Sequence, residues 1–96
     1  MELWRERRFA VHFGDRITEG HFDRVTLIYQ GNSVVRATNT DIKTDNVPLE
    51  AVPLRAEAYR PQMEAYRKAV GRMLCLPETA IATRLMFLKP DVVISI

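Results

Sequence analysis

Three side chains in the first half of the chain are spaced for chemistry. Asp41 and Lys43 stand two apart in Asn39-Thr40-Asp41-Ile42-Lys43-Thr44-Asp45, and Asp23 lies upstream in Gly20-His21-Phe22-Asp23-Arg24-Val25. On a strand, residues i and i+2 point to the same face. A hairpin with its turn at Gly31-Asn32-Ser33, and Gln30 opposite Val34, would set Asp23 directly opposite Asp41. Directly opposed carboxylates on one sheet face repel. A divalent cation between them is the simplest compensation, and the Lys43 ammonium offsets part of the charge. The plainer alternative is two half-exposed strand carboxylates paired with Lys43 or Arg24.

The elements that must position these groups follow from periodicity. Leu3 to Phe13 reads as a first strand, with Phe9, Val11 and Phe13 alternating. Ile17 to Gln30 reads as a long second strand, with Asp23, Val25, Leu27 and Tyr29 on one face and Phe22, Arg24, Thr26 and Ile28 on the other. Val34 to Lys43 returns as the third, and its polarity towards Asp41 predicts a strand that leaves the core and opens into a site. Asn46 to Ala58, with Pro48 and Pro53, reads as a mobile loop with a short helical turn near Leu54 to Glu57. Pro61 suits the first turn of a helix running to about Leu74 or Cys75. Met63, Tyr66, Val70, Met73 and Leu74 form its apolar stripe, and Gln62 and Tyr66 share a face one turn apart. Ala80 to Leu88 and Val92 to Ile96 complete the order as two further strands.

Composition sets bounds. Ninety-six residues make one small domain. The net charge of +2, from 14 basic and 12 acidic residues, does not by itself mark a nucleic-acid binder. The basic residues do cluster, at Arg5, Arg7 and Arg8 and again at Arg55, Arg60, Arg67, Lys68 and Arg72. Such clusters suit a phosphate backbone or a solvated helix face. The single cysteine, Cys75, excludes an internal disulfide and a cysteine-ligated metal cluster, and reads as a small core residue. No apolar run approaches the ~20 residues of a membrane span, and no signal peptide is evident, so the expectation is a cytoplasmic, nucleoid-associated protein with no membrane partner.

Three motifs in order, Gly20-His-Phe-Asp23-Arg-Val, then Asp41-Ile-Lys43-Thr-Asp45, then Gln62-Met-Glu-Ala-Tyr66, resemble the nuclease domain of RecB- and AddA-type helicase–nucleases, within the PD-(D/E)XK superfamily. The resemblance runs roughly from Phe9 to Phe87. It implies an α/β, restriction-endonuclease-like core: a mixed sheet of about five strands in the order β-β-β-α-β-β with one main helix packed on it. It implies a metal-dependent (exo)deoxyribonuclease domain, acting in DNA end processing and recombinational repair. Asp23, Asp41 and Lys43 would be catalytic, and Asp23, Asp41 and the backbone carbonyl of Ile42 would hold Mg²⁺ or Mn²⁺. Lys43 would position water or stabilise developing charge. Gln62 and Tyr66 would form the helix wall of the site against DNA, although Tyr66 also lies on the packing stripe. Thr44 and Asp45 are expected to hold the strand end and the loop after it.

Other polar residues read as supporting. Arg24 projects away from Asp23 as a structural residue, and His21 and His12 as surface or hydrogen-bonded histidines pointing elsewhere. Trp4 reads as a strand or edge anchor, and Glu6 ranks last as an extra acid. The asparagine and threonine before Asp41, and Ile42 in place of an aromatic, depart from the family pattern. The family's helix before the first strand and its phosphate-binding ATPase loop have no counterpart here. The expectation is therefore a partial nuclease domain, residues 1–96, from a larger chain whose helicase part would use ATP and feed it single-stranded DNA, with a second subunit as a further partner. Such a fragment would cleave poorly or not at all. The contrasting expectation is a catalytically silent module for DNA binding or subunit docking.

Overall fold

The third strand is central. In the computed structural model, which describes all 96 residues, the strands β1 (Glu2–Phe13), β2 (Arg16–Gln30), β3 (Ser33–Lys43), β4 (Ile81–Phe87) and β5 (Val92–Ser95) form one sheet in the order 1-2-3-4-5. All neighbours are antiparallel except β3 and β4. A parallel pair needs a crossover, and helices α1 (Val52–Ala58) and α2 (Arg60–Leu74) supply it. The architecture is thus α/β, a five-stranded mixed sheet with one main helix. None of the helices is long and apolar enough to cross a membrane.

The strand bounds predicted from periodicity agree with these to within a residue or so, but three local expectations do not hold. First, β3 does not leave the core: Asn39, Thr40 and Asp41 are 0%, 1% and 6% exposed. They are polar but lie on the middle strand, with Asn39 and Asp41 on the face towards α2 and Thr40 beneath Arg84 on the other face. Second, only 44–48 of the segment after β3 is irregular, and the short turn expected near Leu54 to Glu57 is part of a longer helix. A 3-10 turn at Leu49–Ala51 runs into α1, which buries Val52 and Ala56 with Met63, Leu85 and Phe87. Third, Cys75 is exposed, and with φ 56° it adopts the left-handed conformation that ends α2.

The hairpin register is set by two small irregularities. The turn comprises Gly31 and Asn32, with Gln30 opposite Ser33 and not Val34, and a bulge beside Tyr29 then restores the expected pairing of Arg24 with Thr40. Farther along, β1 and β2 pair regularly except at Glu6 and Asp23, which drop out of the ladder together. Glu6 has φ 46°, so its backbone is turned over. The alternation of both strands changes phase there. Trp4 is buried before the break and Phe9 and Val11 after it, while Phe22 and Val25 are both fully buried. Simple alternation put Phe22 and Val25 on opposite faces; the paired break brings both into the core.

An aromatic cluster fills the space under this break. Phe9 stacks on Phe22 at 4.2 Å, and Tyr66 sets its edge against both rings at 5.5 Å. Gly20 lies opposite Phe9, and a Cβ there would stand 2.6 Å from the Phe9 ring and 3.1 Å from Tyr66. Glycine at this position is therefore a packing requirement. Tyr66 packs against both apolar clusters of the core, so it ties α2 to β1 and β2 on one side and to α1 and β4 on the other.

Candidate active site

The break at Asp23 opens a notch between β2 and β3. Pairing of the two strands ends at Arg24 and Thr40, and beyond it the Asp23 carboxylate accepts a hydrogen bond from the backbone N–H of Ile42 at 2.7 Å. The side chain therefore takes a ladder position that backbone would otherwise fill. Asp41, on the next strand, brings its carboxyl beside Asp23, close enough for each to shift the other's titration.

Their protonation splits accordingly. Burial, then the neighbouring Asp23 carboxyl, pushes the Asp41 carboxyl up to about 6, against the pull of Lys43. Burial also pushes Asp23 up, but the neighbouring Asp41, the hydrogen bond from the Ile42 N–H and the nearby His21 and Lys43 outweigh it and hold it below the usual range. Asp41 is thus the member that takes up a proton first as pH falls, near 6, while Asp23 stays charged. His21 stands 3.7 Å from Asp23 through Nδ1 and Oδ1. It faces the site, contrary to the expectation that it points elsewhere; residues i and i+2 on a strand share a face, which was the available signal.

Lys43 closes the other side. Its Nζ lies 3.0 Å from Asp41 Oδ2 and donates to Gln62 Oε1 at 3.2 Å. It also sits 3.9 Å from the centre of the Tyr59 ring, a cation–π arrangement. The Gln62 amide in turn donates to the Tyr66 hydroxyl at 3.3 Å. Polar contacts therefore join the three motifs: Tyr66, Gln62, Lys43 and Asp41 in one run, and Asp23 through the Ile42 N–H. Gln62 is exposed at the helix surface but still reaches Lys43.

Asp45 acts next to the site. It accepts hydrogen bonds from the Tyr59 hydroxyl and Arg55, both at 2.8 Å, which hold its carboxyl below the usual range. Asp45 thereby clamps α1 and the start of α2 to the end of β3, and orients the ring beneath Lys43. Thr44 is exposed. Tyr59, just ahead of the third motif, was not singled out from sequence, because nothing in its spacing announced a role beneath the lysine.

On the sheet face away from α2, Asp23 opens into a depression of ≈ 490 Å³ lined also by Arg5, Glu6, Arg24 and Ile42. Glu6, ranked last from sequence, reaches this rim because of its turned-over backbone. Comparison with protein-family models and with curated proteins finds no match.

The carboxylate pair has the donor chemistry of a hard-cation site. Mg²⁺ takes oxygen ligands, commonly one or two carboxylates completed by water and substrate phosphate. Asp41 Oδ2 is buried and makes no well-aligned hydrogen bond. Asp23 and Asp41, with that oxygen uncommitted, supply two carboxylates of the kind such an ion takes, and the Ile42 N–H fixes one of them.

Proposed function

We propose that this chain is a metal-dependent DNA nuclease domain with a restriction-endonuclease-like core, of the kind found in RecB- and AddA-type helicase–nucleases. The observation that carries the reading is Lys43 at 3.0 Å from Asp41, tied to the helix through Gln62 and Tyr66, with the Asp23 carboxylate held beside them by the Ile42 N–H. Three separate motifs of the sequence meet there.

In this reading Asp23 and Asp41 hold Mg²⁺ or Mn²⁺, with the Ile42 carbonyl as a further ligand. When bound, the ion would supply a nucleophilic water at neutral pH and neutralise charge on the phosphate. The protein's own groups do the rest. The Ile42 N–H fixes the Asp23 carboxylate. Lys43 presents an ammonium beside the carboxylates, aimed by Gln62 and the Tyr59 ring, where negative charge develops on a phosphate oxygen. Tyr66 sets Gln62 and packs the helix wall. The natural substrate is single-stranded DNA delivered by a helicase part.

The test is cleavage of labelled single-stranded DNA with Mg²⁺ or Mn²⁺ by the wild type and by Asp41→Ala and Lys43→Ala. Metal-dependent cleavage lost in both variants supports the reading. DNA binding without cleavage under any metal condition supports a silent nuclease-like module in its place.

A further inference from the structure

The face of the sheet turned away from α2 carries a row of cations. Arg5 pairs with Arg24, Arg24 with Thr40, Thr40 with Arg84 and Arg84 with Ser95, so the register lines these residues up across all five strands. They lie opposite the buried helix-side positions Trp4, Val25, Asn39, Thr83 and Leu85 on either side of them in sequence. At about 4.8 Å per strand, the row from Arg5 to Arg84 spans roughly 14 Å.

Its charge has no internal partner. Arg55, Arg60 and Arg67, around the helices, are each in an ion pair with Asp45, Glu57 or Glu64. None of Arg5, Arg24 or Arg84 is in one. Like charges directly opposite on a sheet are destabilising, and Arg5 is directly opposite Arg24. Arg84 is held down by Nε and Nη2 donating to the buried Thr40 hydroxyl at 3.2 and 3.1 Å, which leaves Nη1 free to donate elsewhere. The neighbouring row places Thr26 beside Thr38, two further hydroxyls. Guanidinium and hydroxyl donors are the groups that bind phosphate oxygens, and the carboxylates near the row, Glu6 and Asp23, lie at its notch end beside Arg5 and Arg24.

The row also leads to the candidate active site. Arg5 and Arg24 line the depression into which Asp23 opens. We infer that the Arg5–Arg24–Arg84 row seats the phosphodiester backbone of a nucleic-acid strand and leads it to the notch at Asp23. The inference rests on the nuclease reading and gives it a substrate track. It also assigns Arg24, expected from sequence to be structural, a binding role.

The test uses fluorescence anisotropy of labelled d(T)20 with the full 96-residue chain in EDTA, so that binding is read without cleavage. Arg5→Gln/Arg24→Gln is expected to bind about tenfold more weakly and to flatten the log–log salt dependence by roughly 1 to 2. Arg60→Gln, on the helix, is expected to bind as the wild type does. In the wild type, the arginine Nε–Hε NMR signals of Arg5, Arg24 and Arg84 are expected to shift on adding d(T)20, a readout independent of variant folding. Affinity unchanged in the double variant, or unshifted signals on saturation, overturns the row and leaves the nuclease reading standing. No binding by the wild type at low salt overturns both. Tighter binding of polyglutamate than of d(T)20 overturns the choice of nucleic acid.

Discussion

The ammonium of Lys43 lies 3.0 Å from the Asp41 carboxyl and is held there from behind, by Gln62 at 3.2 Å and the Tyr59 ring at 3.9 Å. A lysine on a flexible stem is thereby given one position. The two carboxylates could fold together without it only at greater electrostatic cost.

This restraint can be separated from the charge. Gln62 is exposed, so Gln62→Ala should change stability by no more than about 0.5 kcal/mol. It frees Lys43, and cleavage should fall roughly 10- to 100-fold, the scale of a misplaced catalytic group. Lys43→Ala should lose roughly 10²- to 10³-fold. Rates on a labelled single strand, with circular dichroism as the folding control, check both values.

The carboxylate pair predicts an unusual pH dependence for the metal-free protein. Asp41 titrates near 6 when folded, above its ordinary 3.8. Between those values the folded state holds a proton that the unfolded state lacks, so stability falls as pH rises from about 4 to about 6, by the order of 1–3 kcal/mol. Asp23 and Asp45 are shifted down, so their stabilisation is present above 3.8 and is lost as pH falls through their folded values. Thermal melts should give a higher Tm at pH 4.5 than at pH 7, with the difference much reduced in Asp41→Asn. Added Mg²⁺ should stabilise more at pH 7, because ligation requires deprotonated carboxylates.

Gly20→Ala should lower stability by about 1–3 kcal/mol, the usual cost of overpacking. Phe9 cannot swing aside cheaply, because it is buried and stacked on Phe22. Calorimetry should show a Tm lower by several degrees with an unchanged far-ultraviolet spectrum. A variant as stable as the wild type would show that the ring has room to move.

The element order and the approach of Asp23 to Asp41 were legible because period-two alternation and hairpin register are local signals, whereas the mixed sheet came only from the family resemblance. The phase break at Glu6 and Asp23 was not. It depends on a turned-over backbone at a glutamate, which no residue type announces, and it explains why both Phe22 and Val25 are core. The burial of Asn39 and Thr40 was hidden for a different reason. Polarity normally marks an edge, and here the middle position of β3 overrides it. Helix α1 was legible only as a turn near Leu54 to Glu57, because its buried stripe is just Val52 and Ala56 and Pro53 stands in its first turn.

Asp45→Ala should release that helix. Its carboxylate alone receives both Arg55 and Tyr59. Hydrogen exchange should accelerate across 49–58 and little elsewhere, and cleavage should fall because Tyr59 no longer backs Lys43. Uniform protection would mean that Val52 and Ala56 anchor the segment unaided.

The most direct measurement is a Mn²⁺ titration of isotope-labelled protein followed by NMR, with Asp41→Ala alongside. A cation held between β2 and β3 predicts selective paramagnetic broadening of Asp23, Asp41, Ile42 and Lys43, absent in the variant. Diffuse broadening that the substitution leaves unchanged would contradict a metal site at this pair.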